Sequence, residues 1–364
     1  MKLSVIILNY NVRYFLELCL QSVEVAIADL DAEIIVVDNN SIDDSCAMVK
    51  SNFPKVRLIK NKENYGFAKG NNIGVKDAKG EYVCVLNPDT VVAEDTFTTI
   101  LEFADSKTNL GIVGCQLIDG RGKYLPESKR NVPTPKVAFE KLIGNDKNYY
   151  ANHLERESIG EVDILVGAFM MLKRSIFNEV GGFDERYFMY GEDIDLSYSI
   201  KKAGYINYYY GATTILHFKG ESTLKNKKYL KRFYGAMGLF YKKHFSQNLF
   251  LNKSVKLGTK LFSSFNNRQK NKVIIPDSII SFSELPKLLT ERFSIQYKKI
   301  KESESIPKNS QLVLSCHSKP FKSIIEIIKR DWGNLNLTFR IWPKNCNFIL
   351  GSDSNATNGE VIHF

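Results

Sequence analysis

Leu3-Ser4-Val5-Ile6-Ile7-Leu8-Asn9-Tyr10-Asn11 decides the fold. From Leu3 to Leu8 only Ser4 interrupts the apolar run, and the run then stops on three polar or amphipathic side chains. A strand that is apolar on both faces belongs inside a parallel sheet. Its polar tail stands at the carboxyl edge, where such sheets hold ligands. The same grammar recurs downstream. Glu33-Ile34-Ile35-Val36-Val37 ends in Asp38-Asn39-Asn40-Ser41, and Tyr82-Val83-Cys84-Val85-Leu86 ends in Asn87-Pro88-Asp89. Val56–Ile59 supplies a further short strand. Helical patterns lie between the strands. One has Phe15, Leu18, Cys19, Ser22 and Val23 on a single face, a second opens at Asp43 and Asp44, and a third is entered through the glycine-rich turn Asn64–Gly74. This alternation predicts an α/β fold, a mostly parallel sheet between helices. Polar groups gathered at one edge of an apolar sheet cost folding free energy unless they bind something. The converging strand ends therefore predict a ligand site.

After Asp89 the pattern changes. A helix is expected over Thr96–Ala104 and a strand over Ile112–Leu117. Asp119–Glu161, with Pro126, Pro133 and Pro135, reads as an irregular excursion of the kind that covers or selects substrates. Asp163–Leu172 reads as one strand with Gly167-Ala168 in its middle. A helix runs from Gly191-Glu192-Asp193-Ile194-Asp195 to Ala203, and the strand Ala212–Leu216 delivers His217. Lys225–Phe250 carries apolar residues at helical spacing with lysines between them, a basic amphipathic helix. Ser263–Lys272 resembles a linker. Strands at Val273–Ile275, Gln311–Leu314 and Leu337–Ile341, with a helix over Lys322–Lys329, predict a small separate α/β domain. The expected division is thus 1–224, 225–262, 263–272 and 273–364, the last an accessory, partner-binding or acceptor-selecting module.

The formal charge of +10 points to an anionic partner. It is local. Lys219–Lys272 holds 14 Lys and Arg against one acid, Glu221, so the rest of the chain sums to 10 − 13 = −3. A local patch is a contact surface more often than a solubility device. The basic helix fits an anionic membrane surface, and fits equally a helix packed on the catalytic domain with its lysines solvated. No recognised nucleic-acid motif accompanies the charge, so no nucleic acid is expected. The six cysteines are widely spaced, with no C-x-x-C pair, and read as small buried hydrophobes in a reducing compartment. The opening apolar run is too short for a signal peptide, and no stretch of about 18 apolar residues is present. The expected location is the cytoplasm, with the inner membrane face as the place for any peripheral contact.

The ordered set Ser4–Asn11, Val36–Ser41, Asn64-Tyr65-Gly66-Phe67-Ala68, Asn87-Pro88-Asp89, Gly191-Glu192-Asp193 and His217-x-x-Gly220-x-Ser222 resembles the family 2 glycosyltransferases of GT-A fold, in their bacterial rhamnosyltransferase-like branch. The resemblance covers roughly residues 1–241. It implies an inverting transfer of a sugar, such as rhamnose or another hexose, from a dTDP- or UDP-sugar donor to an acceptor hydroxyl. The acceptor would be a saccharide or a polyprenyl-linked saccharide, in polysaccharide or glycolipid assembly.

By the same resemblance, Asn9, Tyr10, Asp38 and Asn39 contact the donor's base and ribose. A carboxylate can read a pyrimidine N–H, although Asp38 also suits a helix cap. Asn64, Gly66, Lys69 and Asn71 lie where glycine lets backbone N–H groups approach phosphate; Lys69 is as readily a solvated turn residue. Asn87-Pro88-Asp89 matches the D-x-D element that holds a divalent cation, Mg or Mn, against the diphosphate, with asparagine replacing its first acid. Asp89 and His217 are the implied metal ligands, and one carboxylate plus phosphate oxygens is an ordinary set for such hard cations. Asp193 is the implied base toward the acceptor hydroxyl, with Glu192 supporting it. Asp195 suits the helix dipole better. Two competing functions arise. A sugar nucleotidyltransferase would open with a glycine-rich activating loop rather than Asn9-Tyr10-Asn11. A nonenzymatic sugar-nucleotide or membrane-binding protein would have no need of Asp89, Asp193 and His217 together.

Overall fold

The structure, a computed structural model, describes residues 1–219, 227–245, 275–293, 295–354 and 358–364. Gly220, Ser222 and the linker at 263–272 lie outside the described residues.

The first four strands are β1 (Leu3–Asn9), β2 (Ala32–Asp38), β3 (Arg57–Lys60) and β4 (Tyr82–Leu86). They alternate with α1 (Arg13–Ala26), α2 (Ser45–Asn52) and α3 (Gly66–Asp77) and pair in parallel. β1 and β4 are buried nearly throughout, as strands covered on both faces must be. Then come β5 (Thr90–Val91), α4 (Thr96–Asp105), β6 (Leu110–Ile118), α5 (Pro135–Leu142), β7 (Ile159–Val162), β8 (Phe169–Lys173), α6 (Arg174–Glu179), α7 (Glu192–Lys202), β9 (Ile206–His217) and α8 (Lys227–His244). The sheet runs β3-β2-β1-β4-β8-β6-β9-β5, with β7 on the outer side of β9. The antiparallel β8 enters between β4 and β6 and breaks the parallel order beside the site.

Two glycines explain how closely α3 lies on β1. A Cβ at Gly70 would stand 2.4 Å from Leu8 Cδ1, and one at Gly74 would stand 2.5 Å from Ile6 Cγ2. A helix packed that tightly carries the chain directly from the ligand edge onto the sheet face. The expected strand Asp163–Leu172 is shorter than its apolar run. Gly167 and Ala168 form a turn at the cleft, and only Phe169–Lys173 pairs with β4.

A second, six-stranded sheet is built from β10 (Ser278–Ser281), β11 (Tyr297–Lys299), β12 (Ser310–Ser315), β13 (Thr338–Trp342), β14 (Phe348–Gly351) and β15 (Glu360–His363), in the order β11-β10-β12-β13-β14-β15. Its helices are α9 (Lys287–Arg292) and α10 (Phe321–Lys329). The first strand begins at Ser278, later than the expected Val273–Ile275; Ile275 is irregular, and residues 273 and 274 lie outside the described set. This domain is not separate in its packing. Phe15, Leu18, Val91, Leu216 and Phe218 of the first sheet's domain share one apolar cluster with Leu312, Phe321, Ile324 and Ile328 of the second.

Candidate active site

The carboxyl ends of β1, β2 and β4 converge, and a cleft of about 340 Å³ opens beyond them. Tyr10, Asn39, Asn64, Gly66, Asn87, Asp89 and His217 line one part of it. Glu192 and Asp193 line another, with Glu127, Arg130, Tyr149 and Lys219 around them. The cleft thus gathers most of the residues singled out in the sequence, from positions 10 to 217.

Gly66 enters α3 with φ +79°, and a Cβ there would stand 2.2 Å from Phe188 O, so only glycine fits. Asn64 Oδ1 accepts from Gly66 N at 2.9 Å, and Asn39 Nδ2 donates to Gly66 O at 3.0 Å. The amide side chains therefore hold the turn at the cleft wall.

Four expected donor contacts are placed elsewhere. Asn9 is fully buried, and its Nδ2 donates to Asp38 Oδ1 at 2.8 Å. The other Asp38 oxygen accepts from Ser41 N at 2.9 Å. Neither residue lines the cleft; together they fix the two strand ends from which Tyr10 and Asn39 project. Asn71 is buried in α3, donating to Phe67 O at 3.0 Å, and Lys69 lies 4.2 Å over the Tyr65 ring. Lys69 stands inside α3, half-buried, rather than in a turn.

Asp89 and His217 are brought together by strand pairing. Thr90 stands opposite His217 in the β5–β9 ladder, and Phe218 N donates to Asp89 O at 3.0 Å. His217 Nε2 lies 3.4 Å from Asp89 Oδ1 and 3.3 Å from Asn87 Nδ2, and both the histidine and the aspartate are buried. Two ligands about 2.1 Å from one ion can share that spacing. Among the described residues no group of three His, Cys, Asp or Glu could hold an ion. Asp89 and His217 alone supply two donors, so a divalent cation held there would need further oxygens, such as those of a bound diphosphate.

The carboxylates at the other end sit on a strained turn. Tyr190 and Gly191 both take positive φ, 74° and 81°, immediately before α7. A non-glycine residue there costs about 1 kcal/mol or more, and such conformations cluster at functional sites. Asp193 Oδ2 accepts from Arg130 Nη2 at 2.6 Å and from Gly167 N at 3.2 Å, while Oδ1 accepts from Ile194 N at 2.8 Å. Glu192 is buried, and its Oε2 has no hydrogen-bond partner among the described residues. Burial, and then the neighbouring Asp193 charge, push the Glu192 carboxyl up to about 8.

Arg130, Tyr149, Glu127 and Lys219 were not expected from single positions. Arg130 is locked by backbone pairing with Ile164 in both directions, at 2.9 and 3.0 Å, and by Nη2 donation to Leu165 O at 2.9 Å. Lys219 pairs with Glu127. Behind Tyr149, Lys141 Nζ lies 3.1 Å from the ring centroid, and burial, reinforced by the Arg130 charge, brings its ammonium down to about 8. The only advance signal was the proline-bearing excursion, read as a substrate cover; it contributes three of these four residues.

Residues 4–181 match the family model described as Glycosyl transferase family 2. Residues 4–181 belong to that family. The chain is 28% identical over 238 residues to the N-acetylglucosaminyl-diphospho-decaprenol L-rhamnosyltransferase of Mycobacterium tuberculosis, covering 61% of this chain and 77% of that relative. It is 32% identical over 167 residues to rhamnosyltransferase WbbL of Escherichia coli K12, covering 42% and 61%. Among solved structures, the mannosyltransferase PcManGT from Pyrobaculum calidifontis, in complex with GDP-Man and Mn2+, aligns with TM-score 0.48 and 17% identity over 71% of this chain and 73% of that one. This glycosyltransferase has the GT-A-like α/β fold that the sequence predicts, with a second sheet domain at its C-terminal side.

Proposed function

We propose that this glycosyltransferase inverts the configuration at C1 while moving a sugar, rhamnose or a similar hexose, from a dTDP- or UDP-linked donor to the hydroxyl of a polyprenyl-linked saccharide. The carrying observation is the cleft itself. Asp89 and His217, which supply two neighbouring donors suited to a cation, line it together with the carboxylates of buried Glu192 and partly exposed Asp193. The rhamnosyltransferase relatives, one of them named for a diphospho-decaprenol substrate, support the sugar and the acceptor class.

Tyr10, Asn39 and Asn64 hold the nucleotide against the strand ends, and the Gly66 turn admits the backbone close to the phosphates. Asp89 and His217 would hold a divalent cation, Mg or Mn, and such a cation would supply charge neutralisation for the departing diphosphate. A carboxylate at the start of α7 takes up the proton of the attacking hydroxyl. Val166, Gly167 and Ala168 supply an apolar wall that keeps water from the acceptor side.

An anionic membrane surface is the proposed second partner, at the inner face of the cell membrane. The basic segment 219–272 supports it by charge. Within α8 the cations divide. Lys243 pairs with Asp184 and Asp195, and His244 Nε2 lies 2.8 Å from Asp195 Oδ1, so these two hold the helix to the catalytic domain. Lys242 is exposed and available to a surface. No helix among the described residues is long and apolar enough to cross a membrane.

The test is a panel of UDP-, dTDP- and GDP-sugars with Mn2+, Mg2+ or chelator, read by thermal shift and nucleotide release. One nucleotide class should stabilise the protein only with metal, and Asp89→Ala and His217→Ala should each abolish that metal dependence. A protein unmoved by every donor is not a transferase of this kind.

A further inference from the structure

Among the described residues, large apolar side chains stand exposed mostly at scattered single positions, which is normal for a globular surface. The exception is at α5. Phe139 on that helix and Ile143 directly after it are 63% and 65% exposed. Ile143 N donates to Phe139 O at 3.2 Å, so the helical turn carries through and the two side chains share one face. Lys136, one turn earlier, is also exposed. The inward position is taken by Ala138, which joins an apolar cluster with Met237, Phe240 and Tyr241 of α8. A surface helix ordinarily turns its larger apolar side chains to the core; α5 turns them outward.

The helix is the tip of an excursion rooted in the cleft. The chain leaves the cleft wall at Arg130 and returns to it at Tyr149. The two legs are tied together: Arg130 forms a β-bridge with Tyr150, and Asn131 N donates to Tyr149 O at 3.0 Å. The start of α5 is held as well. Tyr241 Oη donates to Pro133 O at 2.9 Å, and Thr134 Oγ1 accepts from Val137 N at 3.3 Å. Phe139 and Ile143 therefore stand on a fixed support. The charge around them is mainly positive. Lys136 and Lys147 of the excursion and Lys242 of α8 are exposed, against one exposed acid, Asp146, among residues 133–150.

We propose that the outer face of α5 docks on an anionic bilayer, with Phe139 and Ile143 seated among the acyl chains and Lys136, Lys147 and Lys242 at the headgroups. Aromatic and aliphatic side chains flanked by lysines are the pattern of an element that lies in a membrane interface. Lysines near anionic headgroups add an attraction that salt screens. A second copy of this chain fits the face poorly, since two side chains fall far short of the roughly 800 Å² that each partner of a stable dimer buries. The docking deepens the sugar-transfer reading above and rests on it for its consequence. A polyprenyl-linked acceptor keeps its chain in the bilayer, so its hydroxyl reaches only a cleft that opens at the lipid surface. Diffuse positive charge attracts the protein without setting its orientation. Insertion at α5 sets it, bringing the Arg130 and Tyr149 part of the cleft to the lipid.

The experiment uses the full chain and vesicles of phosphatidylcholine, alone or with an equal part of phosphatidylglycerol, at low and high salt, read by cosedimentation. It compares wild type with Phe139→Ser, Ile143→Ser, the two together, and Phe139→Trp, each checked for folding by thermal melting. Wild type should bind the mixed vesicles and keep part of that binding at high salt. Each serine should weaken binding about tenfold and the pair about a hundredfold, as expected for apolar side chains returned to water. Phe139→Trp should bind at least as well as wild type. The double variant should also raise KM for a polyprenyl-linked acceptor carried in vesicles, while transfer to a short-chain, water-soluble acceptor stays unchanged. Binding that is equal in wild type and the double variant, and abolished by salt in both, leaves charge alone and overturns the proposal. So does a wild type that binds no vesicle, or a concentration-dependent dimer that the serines dissolve. The two readings fail separately. Vesicle binding needs no donor, so wild type that binds through Phe139 and Ile143 yet transfers from no donor refutes the transferase reading alone. Wild type that transfers while the serines change nothing refutes the docking alone.

Discussion

Glu94 carries a prediction about how the two domains are joined. Its carboxylate lies at the N-terminus of α10, where Phe321 N donates to Oε1 at 2.6 Å and Lys322 N to Oε2 at 2.9 Å. The helix has no side-chain cap of its own, because Pro320 precedes it. Glu94 is therefore an N-cap delivered from the other domain, and its negative charge faces the positive end of the helix dipole. Replacing it with alanine leaves two amide donors without their acceptor. A lost N-cap costs about 0.5–2 kcal/mol, and a hydrogen bond to a charged group is worth about 1.5–3 kcal/mol. The two bonds are themselves the cap, so these figures overlap rather than add, and solvent screening at this partly exposed junction argues for about 1–2 kcal/mol. At roughly 2–4 °C per kcal/mol for a domain of this class, Glu94→Ala should lower the melting temperature by about 2–8 °C. Intrinsic fluorescence reads it selectively, because the chain's two tryptophans, Trp332 and Trp342, both lie in the second domain. Glu94→Gln keeps one acceptor oxygen and should fall between. A tryptophan-reported transition within about 1 °C of wild type in Glu94→Ala would show that the apolar interface alone holds the domains.

Gly122 has φ +76°, and an added Cβ would stand 1.9 Å from Ile328 O on α10, so Gly122→Ala should destabilise the same fluorescence transition by more than about 2 kcal/mol in denaturant titration. Gly66→Ala meets Phe188 O at 2.2 Å and should abolish the donor's thermal shift while leaving the tryptophan transition in place. Glu192 yields a stability prediction independent of activity. Folded, its carboxyl keeps the proton to about pH 8, against 4.5 for an ordinary glutamate. Between those values the folded chain binds more protons than the unfolded one, so this group's contribution falls as pH rises. Glu192→Gln lacks that penalty. Its melting temperature should match wild type near pH 4.5 and exceed it by a margin that widens up to pH 8; a constant difference across the range would refute the raised affinity.

The part of the cleft at the strand ends was readable in sequence because parallel strands impose a local signature. Each central strand is apolar throughout and ends on a polar residue, so Tyr10, Asn39, Asn87 and Asp89 are marked by where the apolar run stops. Strand ends do not reveal which polar residues turn inward. Asn9 and Asp38 occupy the same kind of position as Tyr10 and Asn39, yet they bond to each other at 2.8 Å inside the sheet edge. The part of the cleft around Asp193 had no such signature. Arg130 meets Asp193 across 63 residues of chain, and Lys219 meets Glu127 across 92. Pairings at that separation have no period to detect. The excursion's irregular composition announced only that something there would cover the cleft.

The second domain looked detachable in sequence because a polar segment precedes it. Its packing argues otherwise, through the strands that bear Asp89 and His217, the proposed cation ligands. Asp89 directly precedes β5, and His217 ends β9; the ladder pairs Thr90 with His217 and Val91 with Leu216. Val91, Leu216 and Phe218 turn into the apolar cluster that includes Phe321, Ile324 and Ile328 of α10. Glu94, five residues beyond Asp89, then caps that helix. The β5 edge is only two residues long and, among the described residues, has β9 as its one partner strand. So short an edge owes its position to side-chain burial more than to its ladder, and much of that burial is against the second domain. Cutting the chain before residue 275 should therefore expose Val91, Leu216 and Phe218 and loosen the Asp89–His217 spacing of 3.4 Å. The truncated protein should lose metal-dependent donor binding even though every residue lining the cleft is retained. Full donor affinity in that truncation would show that the catalytic domain holds β5 in place unaided.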